Sequence, residues 1–154
     1  MKKFTFNLET VLKVRKQREE AAQRDMVKAL KRLESLKEIL KLLQDEVYSL
    51  EEELQQRQKH SPNVRDFYDY LLYLQSVKKK IEVQQDEVFK AHNIMEERRS
   101  VTVAAQRQKK VIENIKDKHY DEWSEHLLKT EQKFLDELAT IRYIREKEGK
   151  KDES

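Results

Sequence analysis

The strongest constraint on the fold is a run of mostly apolar residues that recur alternately three and four positions apart over about fifty residues. The run extends from Leu8 to Leu54, and only Arg15 and Glu19 are charged. This spacing places every side chain on one face of an α-helix, and its persistence over many heptads is typical of a coiled-coil seam. It predicts a helix over about 8–58 with the seam Leu8, Leu12, Arg15, Glu19, Ala22, Met26, Ala29, Leu33, Leu36, Leu40, Leu43, Val47, Leu50 and Leu54.

The only proline of the chain interrupts this pattern. Proline ends one helix and is tolerated at the first position of the next, so we expect a turn over 59–63, with Ser61 capping the second helix. No further breaker occurs until Gly149, which predicts a second helix over about 63–147 and a disordered tail over 148–154. The early seam of this helix is Phe67, Tyr70, Leu74, Val77, Ile81, Gln84, Val88, Ala91 and Met95.

The two seams agree with each other in one antiparallel register. Residues that face each other in such a pair have a constant sum of sequence numbers, and one sum aligns five apolar layers: Leu54–Phe67, Val47–Leu74, Leu40–Ile81, Leu33–Val88 and Met26–Met95. The predicted fold class is therefore all-α, a long antiparallel two-helix coiled-coil hairpin in a single domain, 1–154. The polar positions farther from the turn are expected to pack more loosely: Arg15, Glu19, Arg98 and Thr102.

The two predicted helices differ in length. In the same register Leu8 faces Glu113, so helix 2 is expected to overhang helix 1 from Lys116 onward, without a partner in its own chain. An isolated helix is only marginally stable in water, and exposed apolar stripes are uncommon unless something covers them. The overhang nevertheless carries an apolar stripe, Tyr120, Trp123, Leu127, Phe134, Leu138, Ile141 and Ile144.

The composition argues against several classes of protein. Charged residues make up 41% of the 154 residues, with one Gly, one Pro and no Cys, as is typical of long helices. The net charge is only +3 and no one-sided basic stripe is visible, so no nucleic-acid partner is expected. No secretory signal is visible, and the longest apolar cluster is far below the ~20 residues that span a bilayer, so no direct membrane insertion is expected.

Residues that could carry chemistry were also sought along the chain. A single glycine excludes a phosphate-binding loop, and the absence of Cys excludes thiolate nucleophiles and thiolate metal sites. His119 and His126 lie two helical turns apart, too far to share a metal without a third element. Paired helices offer no water-excluding pocket in which carboxylate pKa values could be shifted. We therefore expect no enzyme activity, no catalytic residue, no cofactor and no metal.

Two surfaces could contact other molecules. The first is the aromatic cluster near the turn, Tyr48, Phe67, Tyr68, Tyr70 and Tyr73, of which Phe67 and Tyr70 fill the seam while the others half-cover it or bind a partner. The second is the overhang. It could form a homodimer seam, fold back onto helix 1 or insert into a partner protein.

The two ends of the chain carry recognisable patterns. The start reads Phe4-x-Phe6-x-Leu8-x-x-Val11-Leu12-x-x-Arg15-x-x-x-Glu19-x-x-Ala22, and the end reads Glu131-Gln132-Lys133-Phe134-Leu135-Asp136-Glu137-Leu138-Ala139-Thr140-Ile141-Arg142. The start resembles that of the flagellar export protein family FliJ, and the end resembles the E-x-K-x-L-D-E-x-A-x-x-R ending of that family. Similar stretches between them include Tyr70-Leu71-x-x-Leu74 and Glu97-Arg98-Arg99, so the resemblance covers nearly the whole chain.

The resemblance implies a soluble component of the flagellar type III export apparatus, cytoplasmic and peripheral at the inner membrane. It implies an antiparallel coiled coil similar to the stalk subunit of rotary ATPases, with three partners: the export ATPase hexamer, the membrane export gate protein and export chaperones. The residues implied to face the ATPase are Trp123, Phe134, Leu135, Asp136, Glu137, Leu138 and Arg142. Those implied to face the gate are Tyr48, Tyr73 and Val77.

Three other functions remain open from the residues alone. A homodimeric structural coiled coil would pair two overhangs into a longer assembly. A chaperone or adaptor of another secretion system would share the helices but lack the ATPase partner. Nucleic-acid binding is disfavoured by the balanced charges.

Overall fold

A computed structural model of the protein describes residues 2–60 and 63–152. It contains two long helices, α1 (Glu9–His60, 52 residues) and α2 (Val64–Asp152, 89 residues). No strand occurs among the described residues. The predicted all-α class is confirmed, and three of the four helix ends lie within two residues of the predicted ones.

The cap of α2 differs from the predicted one. The side-chain oxygen of Asn63 accepts a hydrogen bond from the backbone N–H of Arg65 at 3.2 Å, and the Asn63 carbonyl accepts the first helical bond, from Phe67 at 3.1 Å. Both bonds are those of an N-cap residue. Asn63 is therefore the cap in place of Ser61, and Ser61 and Pro62 lie outside the described residues.

The other end of α2 extends farther than expected. The helix continues to Asp152, whereas the sequence predicted an end near 147 and a disordered tail. The prediction relied on Gly149, but glycine inside a helix costs only about 1 kcal/mol relative to alanine and does not by itself end it. Residues 153 and 154 lie outside the described residues.

Contacts divide the chain into two compact units, where the sequence predicted a single domain. The terminal unit joins the residues up to Lys16 with α2 from Arg107 onward, and the middle unit comprises Gln17–Gln106. Both helices contribute to both units. Paired helices contact each other only between residues at the same height along their axes, so each unit can consist of a segment of α1 and a segment of α2.

In the middle unit the helices pack antiparallel through the predicted stripes. Its best-packed cluster contains Leu33, Ala91 and Met95, with Ala29, Leu36 and Val88 against it. Leu33 and Val88 are one of the five predicted layers. Every predicted seam position of this unit is buried or half-buried. Burial of this stripe is the main stabilising contribution available to helices that are otherwise highly charged.

The polar part of the seam is buried at two of its four positions, whereas Arg15 is half-buried and Arg98 is exposed. Glu19 is 8% exposed and Thr102 is 3% exposed, although the sequence predicted a loosening at this level. The Thr102 hydroxyl donates to the backbone carbonyl of Arg98 at 2.9 Å, which satisfies the buried group inside its own helix. Among the described residues, no fully buried side-chain nitrogen or oxygen lacks a hydrogen-bond partner.

The terminal unit contains an element that the periodicity did not predict. Residues 2–8, here called the strap, precede α1 and lie against α2 between Lys116 and Trp123. Phe6 is 9% exposed and contacts the ring of His119. The prediction that α2 lacks an intrachain partner from Lys116 onward is therefore wrong for residues 116–123. Two aromatic residues of the strap supply the contacts, and they lie outside any helical repeat.

Candidate functional site

The longest exposed region of the terminal unit is the last part of α2. Every described residue from Leu128 to Asp152 is exposed. Several are large and apolar, and their exposed fractions range from 44% to 63%: Leu128, Phe134, Leu135, Leu138, Ile141, Tyr143 and Ile144. Four of them, Phe134, Leu138, Ile141 and Ile144, share one face of the helix, and contiguous exposed apolar faces of this kind mark binding surfaces.

The apolar stripe of α2 occupies one side of the helix. At 100° per residue, its seven members fall within roughly 120° of the circumference. They are the stripe residues Tyr120, Trp123, Leu127, Phe134, Leu138, Ile141 and Ile144. Leu135 and Arg142 lie along one edge of the stripe and Glu137 along the other, while Asp136 lies on the far side. Leu135, Leu138, Ile141 and Arg142 line one shallow groove. The structure thus brings six of the seven residues predicted to face the ATPase onto or beside one surface, and leaves out Asp136.

Trp123, at the start of the stripe, is already in contact with the strap. Its ring lies 5.7 Å from that of Phe4 and 5.7 Å from that of Tyr120, measured between centroids. Phe4 meets Tyr120 edge-on, at 5.3 Å and 89°. Such offset and edge-on pairs are the favoured aromatic arrangements. Trp123 is half-buried by these contacts, unlike the fully exposed part of the stripe.

Two further contacts fasten the strap and the start of α1 to α2. The Lys116 ammonium forms an ion pair with Glu9 at 2.9 Å and lies 5.9 Å from the centre of the Phe6 ring. Sequence reasoning missed this arrangement because more than a hundred residues separate the partners and no periodic pattern links them. The only available signal was the Phe4-x-Phe6 pair ahead of the first helix.

The tyrosines of the middle unit are held by carboxylates of α1. The Tyr70 hydroxyl donates to Glu53 at 2.9 Å, with the Arg57 guanidinium 4.6 Å from the ring centre, and the Tyr73 hydroxyl donates to Glu46. The hydrogen bond to Glu53 raises the pKa of Tyr70 above its ordinary value, and the bond to Glu46 does the same for the pKa of Tyr73. Each bond exists only while the phenol is protonated.

The three residues predicted to face the gate do not form one surface. The Tyr73 hydroxyl donates to Glu46 of α1. Residues 46 and 48 are about 200° apart around α1, so Tyr48 lies on a different side of the helix pair from Tyr73. Val77 is 1% exposed. Val77 therefore lies in the seam, as its place in the 3–4 spacing predicts, and a role of Val77 at the gate stays a prediction.

The remaining features define the class of protein. No cluster of His, Cys, Asp and Glu within residues 2–60 and 63–152 could hold a metal ion. Neither of the described helices contains a segment that is both long enough and apolar enough to span a bilayer. The grooves along the helices are open and few residues line each of them. The fold is that of a long-helix protein in which exposed helix faces, more than cavities, are the surfaces available to other molecules.

Comparison with protein families identifies the chain. The family model described as the flagellar FliJ protein matches residues 4–148, so the chain belongs to the FliJ family. The resemblance seen in the sequence is confirmed. Members of this family are components of the flagellar export apparatus and are not known as catalysts. Searches of curated proteins and of solved structures gave no match.

Proposed function

We propose that this chain is a non-catalytic coiled-coil stalk or adaptor that binds the export ATPase hexamer through the exposed end of α2. In this proposal it sits at the cytoplasmic face of the inner membrane, contacts the membrane export gate through the turn-side tyrosines and takes part in handling export chaperones. The ATPase contact residues are Trp123, Phe134, Leu135, Glu137, Leu138 and Arg142, with Asp136 on the far side of the helix.

The observation that carries the proposal is the exposed end of α2. Twenty-five consecutive described residues, 128–152, are all exposed, although Phe134, Leu138 and Ile141 are large and apolar. A single helix of this kind is marginally stable in water, so a surface that covers the apolar stripe would stabilise it. A hexameric ring offers a central opening in which a single overhanging helix could be surrounded on several sides.

The chemistry of the stripe suits a protein partner. Aromatic residues and arginine are enriched among the residues that dominate binding energies, and Phe134 and Arg142 are both exposed, about 12 Å apart along the helix. Charged residues flank the stripe, including Glu137 at one edge and Arg142 at the other. They would fix the register of the helix against a partner more than they would add affinity.

The gate contact would use the tyrosines on the turn side. Tyr73 is 47% exposed and Tyr48 is 69% exposed, so each can contact a partner, but from different sides. A gate protein that binds near the turn would therefore contact the side that carries Tyr73, the side that carries Tyr48, or both by wrapping around the helices. Val77 would act from inside the seam, by holding Tyr73 in place.

The test of the ATPase contact is a binding and turnover measurement with the purified export ATPase. The variant Phe134→Ala with Leu138→Ala removes two apolar anchors, and alanine preserves helix propensity. We expect binding to weaken roughly tenfold or more and the effect on turnover and hexamer size to decrease accordingly. Gln132→Ala, on the opposite side of the same helix, is the matched control and should bind like wild type.

Two results would contradict the proposal. One is equal binding by the double variant and by wild type. The other is a concentration-dependent dimer in light scattering that the same double variant abolishes, because a second copy of the chain would then cover the stripe. A concentration-independent monomer mass excludes that alternative.

A further inference from the structure

The strap and the exposed stripe meet on one face of α2. Tyr120 and Trp123, which the Phe4 ring contacts at 5.3 Å and 5.7 Å, lie on the same side of the helix as Phe134 and Leu138. The aromatic pair under the strap is therefore the N-terminal end of the surface that continues, uncovered, beyond Leu127. A partner that grips the whole stripe would meet Phe4 at this end.

The two aromatic residues of the strap are held differently. Phe6 is 9% exposed and lies between the His119 ring, at 5.8 Å, and the Lys116 ammonium, at 5.9 Å. The backbone turn from Phe6 to Glu9 and the ion pair between Glu9 and Lys116 secure the chain beside it. Phe6 is thus an anchor.

Phe4 is the less secured of the two. It is only half-buried, it precedes the helix, and the backbone bonds outside the helices that involve the strap use Phe6 and Leu8 as acceptors. Ring contacts with Tyr120 and Trp123 hold Phe4 against α2. Phe4 can therefore leave α2 without disturbing Phe6 or the start of α1.

We propose that the strap is a displaceable cover: Phe4 occupies the first turn of the apolar stripe, and a partner that binds the stripe must replace it. This inference rests on the proposed function, since the partner used to test it is the export ATPase. It adds that the site is partly closed in the free chain, and that its apparent affinity is lowered by the fraction of molecules in which the strap is down.

The cover itself can be tested without any partner. Trp123 is the only tryptophan, so its emission reports on the ring that contacts it. Phe4→Ala should shift the emission to longer wavelength because the indole becomes more exposed to water. Phe89→Ala, which removes a 62% exposed ring in the middle unit, is the matched control and should leave the emission unchanged. An unshifted emission in Phe4→Ala would overturn the cover.

Competition is tested by the sign of the change in ATPase affinity. Phe4→Ala should bind about fivefold more tightly than wild type, the change expected for loss of one aromatic pair contact, and Phe89→Ala should bind as wild type does. The chain has no Cys, so Phe4→Cys with Tyr120→Cys introduces the only two thiols, and the strap is locked in those molecules in which mass spectrometry shows the oxidised pair. The oxidised form should bind more weakly than the same variant after reduction.

The opposite signs would overturn the proposal. If Phe4 is part of the contact surface, Phe4→Ala binds more weakly and the locked form binds as well as the reduced one. If wild type binds the ATPase and neither change alters the affinity, the competition fails while the proposed function stands. If wild type does not bind at all, the proposed function fails, and the competition fails with it.

Discussion

The side-chain amide of Gln84 on α2 donates a hydrogen bond to the backbone carbonyl of Leu36 on α1, at 3.0 Å. Gln84 occupies a seam position among apolar neighbours and is half-buried. The bond to the Leu36 carbonyl satisfies the half-buried amide of a polar residue placed among apolar neighbours. It offsets the cost of removing that amide from water, so we expect its net contribution to stability to be small.

Replacing Gln84 by leucine should leave the stability of the chain unchanged or raise it by up to about 1 kcal/mol. The variant loses one hydrogen bond, of modest net value, and buries more apolar area. Urea unfolding followed by circular dichroism measures the change, with Gln85→Leu at the exposed neighbouring position as control. A loss of about 2 kcal/mol or more would show that the hydrogen bond is a major source of stability.

Truncation of a buried leucine in the seam should have a larger effect. Leu33 is 2% exposed and belongs to the cluster with Ala91 and Met95, so Leu33→Ala should lower the free energy of unfolding by about 2–4 kcal/mol. Leu42→Ala makes the same chemical change at a residue that is 68% exposed, and it should stay within about 0.5 kcal/mol of wild type. Equal losses in the two variants would mean that the seam is placed incorrectly.

The seam was predictable because a helix repeats every 3.6 residues and burial selects apolar side chains at that period. For this reason the long helices and layers such as Leu33 with Val88 follow from spacing alone. The same spacing placed Val77 in the seam, where it is 1% exposed, and only the resemblance placed it at a partner surface. Spacing underestimated the packing of Thr102, whose hydroxyl is satisfied within its own helix.

The strap shows where such reasoning ends. Phe4 and Phe6 precede the first helix, and their partners Tyr120 and His119 lie more than a hundred residues later in the chain than Phe4 and Phe6 do. No repeat connects the two segments, so only the folded chain reveals the contact. The exposed end of α2 could be predicted only in part. Its apolar stripe is visible in the sequence, but the residue at which contacts within the chain cease depends on the strap.

Stability should decrease at high pH through two tyrosines. Hydrogen bonds to Glu53 and Glu46 raise the pKa values of Tyr70 and Tyr73 above the ordinary 10.0, because these bonds require the protonated phenol. Above about pH 10 the unfolded chain loses these protons before the folded chain does. The unfolded state then binds fewer protons, so stability falls as pH rises from that value through the raised pKa values, and the full contribution is present below it.

The measurement is the pH dependence of urea unfolding between pH 8 and pH 11, together with absorbance titration of the phenols. Tyr70→Phe with Tyr73→Phe should flatten the fall in stability and remove the latest-titrating component of the absorbance. Tyr48→Phe is the control, because Tyr48 is 69% exposed and lies on a different side of the helix pair from Tyr73. A fall in stability that is unchanged in the double variant would assign it to other groups.

The register of the middle unit can be tested with engineered cysteines, since the natural chain has none. Leu40→Cys with Ile81→Cys places two thiols in one predicted layer, and we expect a disulfide to form on mild oxidation. Leu40→Cys with Val88→Cys displaces the second thiol by seven residues, about 10 Å along α2, and should remain reduced. Both pairs use half-buried seam positions, so access to the oxidant is matched. Efficient cross-linking of the displaced pair in the natural background would contradict the antiparallel alignment, and with it the assignment of Leu33 to the packed cluster.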